Sequence, residues 1–106
     1  MKEDILAKID AMVHNEPIVI FMKGSPEEPK CGFSMAAVNI LKSLKVPIRA
    51  MDVLENLEVR KAAKEYADWP TFPQVFIGGE FIGGADILQE LHEKGELESI
   101  VHKALS

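Results

Sequence analysis

Five apolar residues in a row, Ile18-Val19-Ile20-Phe21-Met22, follow directly on Pro17. The run is short, rich in β-branched side chains and apolar at odd and even positions alike, so a strand built from it has no face that can meet water. Such a strand belongs in the middle of a sheet covered on both sides. That requirement commits the chain to a layered α/β architecture, with amphipathic helices before and after the run.

The flanking sequence supplies them. Ile5, Leu6, Ile9, Met12 and Val13 recur at helical spacing with charges between them, predicting a first helix that ends near His14. After a loop over residues 23–30, Ala37, Val38, Leu41 and Leu44 mark the inward face of a second helix. Pro47 separates this helix from a second strand over residues 48–52, and Asn56 is placed to cap a third helix that turns Val59, Ala62, Ala63 and Tyr66 inward. Residues 74–77 and 80–82 read as short strands joined through Gly78-Gly79, a pair suited to the positive φ angles of a tight hairpin, and Gly83-Gly84 ends the hairpin. Ile87, Leu88 and Leu91 begin a helix that Gly95 breaks, and Leu97, Ile100, Val101 and Ala104 form a terminal one. The expected order is α-β-α-β-α-β-β-α-α, a parallel βαβ half joined by a helix to a β-hairpin half. Right-handed crossovers place helices on both faces of a four-stranded mixed sheet. A chain of 106 residues suits one such core, so a single domain over 1–106 is expected.

Charge and cysteine usage narrow the function classes. A formal net charge of −5 argues against nucleic acid and anionic membranes as partners. No apolar run approaches the roughly 20 residues that span a bilayer. The start, Met1-Lys2-Glu3-Asp4, leads into an amphipathic pattern rather than an uninterrupted apolar core, so no secretory signal is expected. Cys31 is the only cysteine, which rules out an internal disulfide framework and fits a reducing compartment; a cytoplasmic location is expected, or an organellar matrix if a targeting segment has been removed.

A lone thiol is either a small buried hydrophobe or a chemical group with an external partner. Cys31 lies between Lys30 and Gly32, after a loop containing Pro26 and Pro29, where little apolar burial is on offer. It also stands where the second helix begins. Unpaired N–H groups and the positive end of the helix dipole favour thiolate there, the form that attacks disulfides and binds soft metals.

Four pieces of sequence resemble one family. Met22-Lys23-Gly24-Ser25-Pro26, Cys31-Gly32-Phe33-Ser34, Trp69-Pro70-Thr71-Phe72-Pro73-Gln74 and Gly83-Gly84-Ala85-Asp86-Ile87 stand in the order and at the separations of monothiol glutaredoxins of the CGFS type. The likeness covers nearly the whole chain. It implies a thioredoxin-like fold and two capacities: binding glutathione, and holding or transferring a [2Fe-2S] cluster.

The same resemblance implies a role for each residue. Cys31 is the reactive thiol and cluster ligand, and Gly32 beside it admits close approach. Phe33 is either a helix-start ring packed on the core or, as the family implies, an exposed ring covering the ligand. Ser34 stands where a dithiol relative has its resolving cysteine, so a mixed disulfide at Cys31 needs an external thiol for release. Lys23 and Arg60 are solvated charges on the bland reading and carboxylate anchors on the family one. Thr71, Phe72 and Pro73 are implied to bind the ligand, with a cis Phe72–Pro73 bond beside the Cys31 loop; otherwise Pro73 is an ordinary strand-start proline. Phe72 contributes through its main chain. Gly84, Ala85 and Asp86 open a helix whose N–H groups suit a carboxylate, while the Asp86 side chain suits the γ-glutamyl ammonium or serves as a helix-start acid or cap. Ala85 departs from relatives that carry cysteine or serine there. Trp69 reads as a packing residue, and His14, His92 and His102 as scattered surface groups.

A [2Fe-2S] cluster usually takes four thiolates, and this chain has one cysteine. The resemblance therefore implies a homodimer bridged by the cluster, with two glutathiones completing the ligands, or a mixed dimer with a BolA-like protein; apo iron–sulfur proteins would be the recipients. The competing expectations are a glutathione-dependent thiol–disulfide oxidoreductase acting on glutathionylated proteins, and a partner-binding adaptor in which Cys31 has little chemistry.

Overall fold

The computed structural model describes residues 2–106; Met1 lies outside them. Its elements are α1 (Lys2–Asn15), β1 (Ile18–Met22), α2 (Gly32–Ser43), β2 (Arg49–Asp52), α3 (Leu57–Ala67), β3 (Gln74–Ile77), β4 (Glu80–Gly83), α4 (Ala85–Glu93) and α5 (Leu97–Leu105). The four strands lie in the order β2-β1-β3-β4, with β1 parallel to β2 and antiparallel to β3, and β3 antiparallel to β4. This is the expected mixed sheet of a thioredoxin-like fold.

The two-faced hydrophobicity of β1 is used on both sides. Ile18, Ile20 and Met22 point into a layer with Ala37, Val38 and Leu41 of α2, Leu88 of α4, and Leu97 and Val101 of α5. Val19 and Phe21 point the other way, against Ile9 and Val13 of α1, Ala62 and Ala63 of α3, and Phe72 and Phe76. All five β1 residues are fully buried. Because side chains alternate across a strand, one five-residue segment nucleates both layers. The Phe21 and Phe76 rings meet edge-to-face at 5.9 Å, so the second layer also gains an oriented aromatic contact.

Local chemistry fixes the boundaries. The Asn56 side-chain oxygen accepts from the N–H groups of Glu58 and Val59 at 2.9 and 3.1 Å, as a capping residue should. Gly78 and Gly79 hold φ of 62° and 83°, the double positive pair of a tight hairpin. Two readings are adjusted: β2 begins at Arg49, with Ile48 left outside the ladder as a partly buried core contact, and β4 runs one residue further, to Gly83. The stretch over residues 23–30 is the expected loop, and a closed one. The Lys30 N–H donates to the Lys23 carbonyl at 2.9 Å, and Ser25 and Glu28 exchange N–H···O bonds at 3.1 and 3.2 Å, so the segment closes on itself. Gly24 makes that closure possible: at φ 87°, a Cβ there would lie 2.5 Å from the Glu28 carbonyl oxygen. Among the described residues, no helix is long and apolar enough to cross a membrane.

Candidate functional site

The end of β1, the start of α2, the run before β3 and the start of α4 converge on one cleft of about 380 Å³, and α3 forms its far side. Cys31 occupies the N-cap position of α2 with extended backbone (φ −149°, ψ 137°), half-buried and with no side-chain capping bond of its own. Its sulfur stands where a capping oxygen would stand, facing the free N–H groups of the first turn. The Ser34 N–H does most to hold the thiol below its ordinary range. Partial burial opposes this, while the Phe33 N–H, the Lys23 ammonium and the Ser34 hydroxyl add to the lowering.

A thiol depressed in the folded state contributes stability above its unfolded pKa and loses it as pH falls through the lowered value. Alkylation of Cys31 by iodoacetamide is expected to reach half its maximal rate at a lower pH than a free cysteine does; coincident profiles would show that the helix start does not act on the sulfur.

Ser34 does more than mark a missing cysteine. It is completely buried and its hydroxyl accepts from the Lys23 N–H at 3.1 Å, so it stitches the end of β1 to the start of α2. Position 34 follows the Cys31 N-cap by three residues, the spacing that sets two side chains beside each other on a helix start. Ser34→Cys is expected to form an intramolecular disulfide on mild oxidation, read by thiol titration and intact mass. It should also cost about 1 kcal/mol in the reduced form, because the Lys23 N–H loses its acceptor. Two free thiols after oxidation would show that position 34 is out of reach of Cys31.

The other predicted residues gather as follows. Lys23, Phe33, Arg60, Thr71, Phe72, Pro73, Gly84, Ala85 and Asp86 line the cleft with Cys31, whereas Gly32 does not; it is exposed, with open space where a Cβ would be. Phe33 is 64% exposed, so its ring is not packed on the core, while the Phe72 ring is only 5% exposed and belongs to the core. The Phe72–Pro73 bond is cis. The main chain of Phe72 precedes the β1–β3 ladder, which starts at Gln74. Gly84, not Asp86, is the N-cap of α4, so the Asp86 carboxylate sits exposed in the first turn and is no cap. His14, His92 and His102 are exposed on α1, α4 and α5.

Four lining residues were not named as site residues from sequence: Lys64, Trp69, Pro70 and Ile87. Lys64 lies one turn after Arg60 on α3, the i,i+4 spacing that puts two side chains on one face, and its ammonium sits 6.0 Å from the centre of the Phe72 ring. That spacing was the available signal. Trp69 does pack, at 5.4 Å from the Phe81 ring, while also lining the cleft. The cleft thus gathers three cations, Lys23, Arg60 and Lys64, against one acid, Asp86, in a chain of net charge −5. Among the described residues, no group of three or more His, Cys, Asp or Glu is placed to hold a metal ion. Toward a metal cluster, then, this site offers one acidified, half-exposed thiol and nothing else.

The glutaredoxin family model matches residues 18–82. A monothiol glutaredoxin of Synechocystis, described as ycf64-like and uncharacterized, is 44% identical over 106 residues, covering 100% of this chain and 99% of that protein. Zebrafish Glutaredoxin 3 is 47% identical over 105 residues, 99% of this chain; the chain spans only 32% of that longer protein. The solution structure of reduced poplar apo GrxS14 superposes with a TM-score of 0.82 at 47% identity, covering 93% of this chain and 91% of that one. Matched in sequence along its whole length and in fold along nearly all of it, the chain belongs to the glutaredoxin family and carries the single site thiol of its monothiol members.

Proposed function

We propose that the Cys31 cleft binds glutathione and that Cys31, with the glutathione thiol, holds and passes on a [2Fe-2S] cluster. One observation carries this reading: the cleft sets a single acidified thiol among cations and one acid, and no second thiol accompanies it. Glutathione has two carboxylates, one ammonium and one thiol. Lys23, Arg60 and Lys64 complement the carboxylates through charge-assisted bonds, and Asp86 complements the ammonium. With its ammonium directed to α4, the opposite carboxylate of an extended tripeptide falls toward α3, where Arg60 and Lys64 stand. The N–H groups at the start of α4 can take the carboxylate beside the ammonium.

The donor set fits one corner of a cluster and no more. Cys31 supplies a thiolate already favoured by the helix start, and glutathione held beside it supplies a second. A second copy of the chain, or a BolA-like partner, must complete the set, and apo iron–sulfur proteins are the natural recipients. When bound, the cluster is the cargo. The chain's own work is to favour the Cys31 thiolate, hold glutathione by its charged ends and leave the thiol face open. An uncrosslinked lone thiol suits a reducing compartment such as the cytoplasm.

The half-exposed, acidified thiol also favours a second reading, release of glutathione from protein mixed disulfides. There the Cys31 thiolate attacks the glutathione sulfur, the protein leaves as thiolate, and a second glutathione must attack the resulting Cys31–glutathione disulfide to regenerate Cys31 and yield glutathione disulfide. Comparing reduction of a glutathionylated peptide with cluster uptake under the same glutathione supply separates the two. Slow turnover with cluster uptake is expected; brisk turnover by a colourless monomer would put the oxidoreductase first.

A further inference from the structure

Gln74 opens β3 and is completely buried. Its side-chain Nε2 donates to the carbonyl oxygens of Trp69 at 3.0 Å and Thr71 at 3.3 Å. Its Oε1 is also buried, without a partner. An unpaired buried acceptor carries the desolvation penalty of an unmade hydrogen bond, and a methionine would fill the same volume without it. Stability alone therefore explains this amide poorly.

Both carbonyls belong to the run over residues 69–73, which forms one wall of the cleft. The run is held at its start by the Trp69 N–H, which donates to the Lys64 carbonyl at 3.1 Å. Pro70 and Pro73 have no N–H, so beyond Trp69 the only main-chain donors in the wall belong to Thr71 and Phe72. A trans peptide carries its C=O and N–H on opposite edges of one plane. The Thr71–Phe72 peptide is trans. With the Thr71 oxygen turned inward onto Gln74, the Phe72 N–H on the same plane is turned the other way, toward the cleft.

We propose that Gln74 is a positioning residue for the ligand: by fixing the Trp69 and Thr71 carbonyls, it aims the Phe72 N–H at a main-chain acceptor of the tripeptide lying in the cleft. The ligand's identity rests on the glutathione reading; the aim of the amide does not. The side chain acts through the Thr71–Phe72 peptide and needs no contact with the ligand.

Gln74→Met keeps the length and deletes both donors together with the orphaned acceptor. The folded variant should keep the wild-type pH profile of Cys31 alkylation yet bind reduced glutathione roughly tenfold more weakly by calorimetry. The ¹⁵N order parameter of the Phe72 amide should fall from a strand-like value of about 0.85 to below about 0.6. Glutathione affinity within roughly twofold of wild type would overturn the proposal. If Gln74→Met does not fold, the wild type decides. A scalar coupling across the hydrogen bond from Gln74 Nε2 to the Thr71 carbonyl carbon, with a Phe72 amide that shifts on adding glutathione, supports the proposal; absence of the coupling overturns it. A wild type that binds no glutathione would sink the glutathione reading instead, and the Phe72 order parameter would then decide the positioning claim alone.

Discussion

Cys31→Ser should abolish both mixed-disulfide formation with glutathione and cluster uptake, while leaving the protein as stable as before or more so. The two halves of that expectation have one cause. Cys31 is the N-cap of α2, in the extended backbone such a position requires, but its sulfur makes no capping bond. Serine is among the best N-cap residues, and its hydroxyl can accept from the Phe33 and Ser34 N–H groups that now face sulfur. A gain of up to about 1 kcal/mol is expected, read as a higher urea midpoint. The same hydroxyl stays protonated and is a hard, poor ligand for iron, so the chemistry goes to zero rather than falling by a factor. The combination is diagnostic, because loss of function through unfolding is excluded by the same measurement. Retained cluster at wild-type stoichiometry would show that Cys31 is not a ligand.

Arg60→Glu should raise the glutathione concentration needed for half-maximal binding by tenfold or more. One charge-assisted contact to a carboxylate is worth about 1.5–3 kcal/mol, and each ~1.4 kcal/mol is a factor of ten. The substitution reaches a second anchor as well: a glutamate at position 60 stands one turn before Lys64, the favoured orientation for an i,i+4 ion pair, so it engages Lys64 while removing the arginine. Helix stability should hardly change, since α3 is capped by Asn56 and packs through the buried Ala62 and Ala63, while Arg60 itself is only partly buried. Glutathione titrated against binding heat gives the shift directly. Equal midpoints for wild type and variant would remove α3 from the glutathione site.

Most of the fold was legible because its strongest signal is redundant. The β1 run is apolar on both faces, and every flanking helix shows one apolar stripe to cover it. What escaped lay in backbone closure and in residues with two plausible lives. The cross-links between Lys23 and Lys30 and between Ser25 and Glu28 are main-chain bonds, which leave no mark on residue type. Phe33 and Phe72 look alike in a motif, yet one lies on the outer side of a helix start and the other beside a central strand, and only the packing separates a 64% exposed ring from a 5% exposed one. Nothing in its residue type sets Lys64 apart from the other lysines; α3 turns it, with Arg60, onto the cleft. A polar residue at a strand start, such as Gln74, usually faces water; here it is buried and bonded to two loop carbonyls. The site thiol was found from its place at a helix start, where residue type and position together determine the chemistry.

The most direct test of the whole account is an anaerobic reconstitution of the full chain with iron and sulfide, in parallel series with and without glutathione. Visible circular dichroism would report the cluster, sizing the assembly state, and chemical analysis the glutathione bound. A coloured species larger than the apo protein, carrying two glutathiones per cluster and absent when glutathione is withheld, is the predicted result. A cluster that forms equally well without glutathione, or a protein that stays colourless at saturating glutathione, would contradict the assignment of Cys31 and glutathione as joint ligands.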